Sequence, residues 1–274
     1  MKASSKSGKA LIYLLLILGS LIMIFPFVWM LLTSFKTPAE SVSIPPTFFP
    51  AALQTEGYKK ALDNLPFAKL YWNTILMVFF RVICAVAFSS MAGYAFAKLK
   101  FRGKKALFTL VLVQMSLPSQ IFIIPQYQMV AKMGLANTIF ALVFPGLVSA
   151  FGVFFLRQTY MSIPDEIAEA ARLDGCNQWQ TFTKVMFPLT GTSVAALTIF
   201  TAVFAFGDLM WPQIVNNDIN KFTLSAGLAT LRGMDTTNFP MLMAGSLLAM
   251  LPMIVLYLIF QRQFVEGIAG TGGK

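Results

Sequence analysis

The sequence predicts an all-α polytopic membrane protein with six transmembrane helices, and three observations carry that reading. Of 274 residues, 57% are hydrophobic and 12% charged, about half the charged share of a soluble domain. Six apolar runs recur along the chain, each long enough to cross a hydrocarbon core of about 30 Å as a helix. The 21 Lys and Arg divide unevenly between alternate sides: thirteen fall in segments assigned inside, seven outside, and Arg81 within a span. Excess basic charge in cytoplasmic loops sets orientation, so the net charge of +10 reports topology rather than nucleic-acid binding.

Residues 1–9, with Lys2, Lys6 and Lys9, form a cytoplasmic tail. The membrane domain runs over 10–262 and opens with a first span from Ala10 to Leu32. That run is too long for a signal-peptide core, and no small-residue cleavage site follows before Lys36. Thr33 to Tyr71 is a polar outer connection containing Pro45, Pro46, Pro50 and Pro66. The second span, Trp72 to Leu99, starts at an aromatic interface pair and ends in the basic run Lys98, Lys100, Arg102, Lys104, Lys105. The third, Ala106 to Pro125, is kinked by Pro118 and carries Gln114 and Gln120, with an outer turn from Gln126 to Asn137. The fourth, Thr138 to Leu156, is interrupted at Pro145-Gly146. After the inner loop 157–188 come the fifth span, Leu189 to Val215, an outer loop from Asn216 to Phe239, and the sixth span, Pro240 to Phe260. Residues 263–274 end inside as a flexible cytoplasmic tail. Its Gly270-Thr271-Gly272-Gly273-Lys274 lacks the spacing and context of a phosphate loop, so the chain is not expected to bind ATP.

The inner loop is the one long polar-mixed segment between spans. Ser162 and Asp165 have capping-box spacing, Pro164 suits the first helical position, and Asp165 and Glu166 favour the positive end of the helix dipole. Ile163, Ile167, Ala170 and Ala171 share a face, and Gly175 supplies a left-handed stop. A second helix from Asn177 to Met186 presents Trp179, Phe182 and Val185 before Pro188 breaks it. Two helices bent at a glycine make a knob able to plug a groove on another protein.

Two ionisable residues sit within spans. Arg81 lies about 14 Å from the outer end of its helix and Asp208 about 10 Å, at 1.5 Å per residue. Each costs about 2.5–3.5 kcal/mol to insert, so each should face a cavity or a partner. Pairing of the two is one expectation; Arg81 reaching back to the interface is the other. Trp211, Gln114 and Gln120 join them as candidates for a translocation pathway, with Trp211 alternatively an interface anchor. Gly93, Gly146, Gly191 and Gly245 suit close helix approach. With no His, and with Cys84 and Cys176 in different environments, no catalytic or metal-binding constellation is expected.

Glu169-Ala170-Ala171, Gly175 four residues later, Val185 ten further on and Pro188 closing the run resemble the cytoplasmic coupling loop of ABC importer permeases. The wording through Leu173, Asp174 and Gly175 is similar to the carbohydrate-uptake branch, and the tail from Phe264 resembles the shorter permease of maltose-type and multiple-sugar-type pairs. One departure is Phe206-Gly207-Asp208, where many such permeases carry Trp-Asn, so a sugar contact from that pair does not transfer. The resemblance implies a type I importer permease of the cell membrane, multi-pass, with both termini cytoplasmic. It implies import of a sugar or oligosaccharide together with a second homologous permease and an extracytoplasmic solute-binding protein. Two separate ATPase subunits, which hold ATP and Mg, would dock on the loop, Glu169 either pairing with a basic group there or remaining solvated. A permease for another solute would share the loop; a secondary transporter would show internal repeats, and an intramembrane enzyme an acid–base pair or metal site.

Overall fold

A computed structural model describes residues 6–232 and 238–272, with the backbone alone at 6–7 and 262–272. Lys2, Gly273 and Lys274 lie outside the described residues, as does part of the last outer loop. Among the described residues the secondary structure is helical throughout, with fourteen α-helices joined by short 3-10 and π turns. Four helices are long and apolar enough to cross a membrane, and six spans result if each of two bent pairs counts as one.

The chain divides into two compact units, Met1–Pro66 with Leu228–Leu251, and Phe67–Gly227 with Pro252–Lys274. The first contains α1 (Lys6–Ser34), α2 (Pro38–Ser41) and α3 (Glu56–Asn64). The connection read as merely polar thus folds into two helices. A Cβ at Gly57 would stand 2.9 Å from the Pro240 carbonyl oxygen and 3.1 Å from that of Ser34, so α3 packs backbone to backbone there. Lys36 is buried: its Nζ donates to the Thr47 carbonyl and lies 4.7 Å from the Trp29 ring centroid.

In the second unit α4 (Phe67–Lys98) is the central element. Five residues longer at its start than the apolar run suggests, it places Arg81 near its middle. α5 (Lys104–Ser116) and the helical stretch Ser119–Lys132, which includes α6 (Ile123–Lys132), meet at 104°. The kink expected at Pro118 is therefore an elbow, and the supposed outer turn is largely helix. α7 (Ile139–Val143) and α8 (Ala150–Ser162) bend by 47° across Pro145-Gly146. Gly93 on α4 brings that helix against α8, since a Cβ would lie 2.9 Å from the Arg157 nitrogen. Gly191, by contrast, has nothing within 4 Å of such a Cβ, and Gly146 makes room for the Arg81 side chain rather than for a helix.

The inner loop contains α9 (Asp165–Leu173) and α10 (Gln178–Gln180), the latter continuing as a π turn, Thr181–Met186, and a 3-10 turn, Pro188–Thr190, into α11 (Gly191–Phe206). Pro188 does not break the chain into separate helices: winding is continuous over Gln178–Phe206. Proline removes one N–H and crowds the preceding turn; the wide turn before it, with Phe187 N donating to Phe182 O at 2.8 Å, absorbs the change. The fifth span is instead broken at Gly207–Leu209, before α12 (Met210–Val215). α13 (Leu224–Thr230) and α14 (Phe239–Gly272) complete the fold. α14 carries helical backbone through residues 261–272, most of the segment read as flexible tail.

Candidate functional site

Among the described residues, most of the sequence-predicted site residues gather at two places. The first is the knob. Ala168 and Ala171 are its buried face, Ala168 packing in one cluster with Tyr94, Leu156, Tyr160, Phe182 and Met186. Ile167 and Ala170, which share the predicted stripe with Ala171, are exposed, and the buried pair is Ala168 and Ala171, three residues apart. The outward face carries Glu169, Ala170 and Asp174, with Leu173 88% exposed.

Ser162 does not cap α9; its hydroxyl donates to the Thr159 carbonyl at 2.8 Å, closing α8. Pro164 takes the N-cap position itself, with extended backbone. The start of α9 is held from outside, since half-buried Lys98 at the end of α4 donates to the Ile163 carbonyl and pairs with Asp165. That ammonium holds the Asp165 carboxyl below the usual aspartate range. Gly175 adopts φ +87°, and the bond from Cys176 N to Ala171 O at 3.0 Å completes the left-handed stop. A capping box does occur, at Asn177 and Gln180, each side chain accepting the other's backbone N–H at 2.9 Å. Trp179 is exposed and Phe182 buried, while Met186, not Val185, fills the core, since the π turn advances the inward position by one residue.

The second place is a cavity of about 640 Å³ reached by three helix breaks. Ser119 comes from the α5–α6 elbow, Pro145, Gly146 and Ser149 from the α7–α8 elbow, and Ala205 from just before the α11–α12 break. Irregular backbone at this depth is tolerated where it lines a cavity or is otherwise satisfied. Here side chains satisfy it. Arg81, 6% exposed, donates through Nε and Nη2 to the Leu142 carbonyl at 2.9 and 2.6 Å. Its Nη1 meets Asp208 Oδ2 at 2.8 Å. The guanidinium does not reach back to an interface.

Asp208 Oδ1 accepts from Trp211 N at 3.4 Å, and the Trp211 indole donates to the Ala141 carbonyl at 2.8 Å. Trp211 is 4% exposed. It is thus neither an interface anchor nor an open ligand face, but a packed residue satisfying a broken helix. Gln114 and Gln120 are exposed and do not line the cavity; Ser119 does. The Leu142 carbonyl and Ser149 escaped the sequence reading. Pro145-Gly146, which frees carbonyls one turn upstream, was the signal that could have found the first.

Comparison with known proteins places these features in a family. The model of the binding-protein-dependent transport system inner membrane component matches residues 85–269. The chain is 35% identical over 259 residues to the arabinooligosaccharides transport system permease protein AraQ of Halalkalibacterium halodurans, covering 92% of each. It is 27% identical to the lactose transport system permease protein LacG of Rhizobium radiobacter, covering 94% of each. It is also 26% identical to the sn-glycerol-3-phosphate transport system permease protein UgpE of Brucella suis, covering 94% of this chain and 95% of that one. In fold it is similar to a chain of a bacterial ABC transporter involved in alginate import, with a TM-score of 0.79 and 22% identity over 96% of this chain and 99% of that chain. The chain therefore belongs to the binding-protein-dependent transport system inner membrane components, and is a multi-pass permease subunit of an ABC importer rather than an enzyme.

Proposed function

We propose that this permease imports a sugar or oligosaccharide, paired with a second homologous permease and fed by an extracytoplasmic solute-binding protein at its outer loops. Two ATPase subunits bind ATP and Mg, and this chain binds neither. They dock on the outward face of the knob, through Glu169, Ala170, Leu173 and Asp174, on the cytoplasmic side together with both termini. Ala171, Gly175, Val185 and Pro188 shape and anchor the knob rather than touch the motor. The observation that carries this reading is Leu173: an almost fully exposed leucine on a helix whose other face is buried and whose start is held by Lys98 of α4. Leu173 stands out because it is on a polar loop between spans, beside Glu169 and Asp174, where no lipid contact accounts for its exposure. Arg81 and Asp208 lie on the translocation pathway, beside the cavity.

Relatives named for arabinooligosaccharides and lactose support the sugar reading. One named for sn-glycerol-3-phosphate supports a second, a different polar solute. Co-purification of the assembled transporter with its binding protein, followed by a solute panel assayed for ATPase stimulation, separates them. Stimulation by sugars is expected; stimulation by another solute alone would replace the substrate class. Cysteine at Leu173 should cross-link to an ATPase subunit.

A further inference from the structure

We infer that Asp208 makes the cavity selective for neutral saccharides over anionic ones, by neutralising Arg81 while leaving guanidinium donors for sugar hydroxyls. The inference rests on the importer reading and goes on to name what the cavity takes.

A guanidinium has five N–H donors. Three are engaged, one each from Nε and Nη2 on the Leu142 carbonyl and one from Nη1 on Asp208. Two remain, one on each terminal nitrogen, on a side chain that lines the cavity. Two donors on one guanidinium fit two oxygens held close together, on one carbon in a carboxylate and on adjacent carbons in a vicinal diol. The charge decides between them. With Asp208 at 2.8 Å the pair is formally neutral, so an incoming carboxylate gains no net cation and meets a like charge. A diol meets neither penalty. The remaining lining suits a sugar as well: Ser149 Oγ accepts from Gly152 N at 3.0 Å, which leaves its own O–H to donate. Phe151, Phe200 and Phe204 offer ring faces for a carbohydrate C–H surface.

The test uses the complete purified transporter without its binding protein, so that delivery cannot set selectivity. Arabinotriose and trigalacturonate, one neutral and one anionic, are titrated by calorimetry against wild type, Asp208→Asn, Asp208→Glu, and Arg81→Gln with Asp208→Asn. Wild type and Asp208→Glu should prefer the neutral trisaccharide. Asp208→Asn, which leaves Arg81 unpaired, should shift the affinity ratio toward the anion by about tenfold or more. The double variant, neutral again, should lose that shift. An unchanged ratio in Asp208→Asn, a persisting shift in the double variant, or no binding of either saccharide to wild type would each overturn the inference. The importer reading is judged separately, by sugar-stimulated ATPase with the binding protein present. Stimulation without a charge-dependent ratio removes this inference alone.

Discussion

Replacing Gly146 with alanine should be among the most damaging single-methyl additions in the chain. The new Cβ would lie 2.6 Å from Arg81 Cδ, 2.7 Å from Cγ and 3.0 Å from Nε. A flexible side chain would ordinarily swing aside. Arg81 cannot, because its head is fixed by two bonds to the Leu142 carbonyl and one to Asp208. Overpacking costs about 1–3 kcal/mol, and each displaced hydrogen bond to a charged group about 1.5–3 kcal/mol. Losing one such bond gives a total of about 2.5–6 kcal/mol. The comparison is Gly191→Ala, also in a helical stretch, where nothing lies within 4 Å and alanine should gain roughly 0.5–1 kcal/mol. Thermal inactivation midpoints of the two variants, purified in the same detergent, measure the difference. For a chain of this size each kcal/mol moves the midpoint by about 2–4 °C. If Gly146→Ala melts within about 2 °C of Gly191→Ala, Arg81 is not pinned as described and the packing argument fails.

Asp165 has its carboxyl held low by Lys98, so the bond from α4 to α9 should be intact above the ordinary aspartate range and be lost only as pH falls below it. Protection factors of the α9 amides, taken relative to the intrinsic exchange rate at each pH, should therefore stay flat down to about pH 4 and fall below it, whereas Asp165→Asn should show the reduced protection already at neutral pH and converge with wild type in acid. Leu173→Asp should leave the chain's thermal stability within about 0.5 kcal/mol while abolishing co-purification with ATPase subunits, and Ala171→Leu should do the reverse by disrupting the buried face. Asn137 has φ +60° and its side-chain oxygen accepts from the N–H groups of Asn217 and Asp218 at 2.8 and 3.3 Å. Asn137→Val should cost about 2–4 kcal/mol, and Asn137→Gly, which keeps the backbone, about half of that. Midpoint shifts of the pair give the ratio.

The helical membrane class and the knob were legible because apolar run length, charge placement and glycine position are local signals. Family membership also removes the secondary-transporter and intramembrane-enzyme alternatives. What local signals could not give was direction. Ile163, Ile167, Ala170 and Ala171 have the spacing of one stripe, yet the buried position is Ala168, set by the cluster with Tyr160 and with Tyr94 of α4, distant in sequence. The elbow at Pro118 reads only as a proline kink until the neighbouring helices fix its angle. Trp211 looked like an anchor by position, because carbonyls orphaned at Pro145-Gly146 are invisible until α7 and α12 lie side by side. Arg81 and Asp208 were suspicious from sequence because buried charge is costly, but only the fold reveals the guanidinium serving a broken helix as well as a carboxylate.

The unbroken winding from Gln178 to Phe206 makes an axle of about 40 Å. One end is the knob; the other stops at Gly207, beside the carboxylate that grips Arg81. Were docked ATPase subunits to turn its inner end, continuous backbone would carry that rotation as far as Phe206, two residues short of Asp208. Loosening the axle midway, for instance by inserting two glycines after Pro188, would leave both ends folded and mechanically deaf to each other.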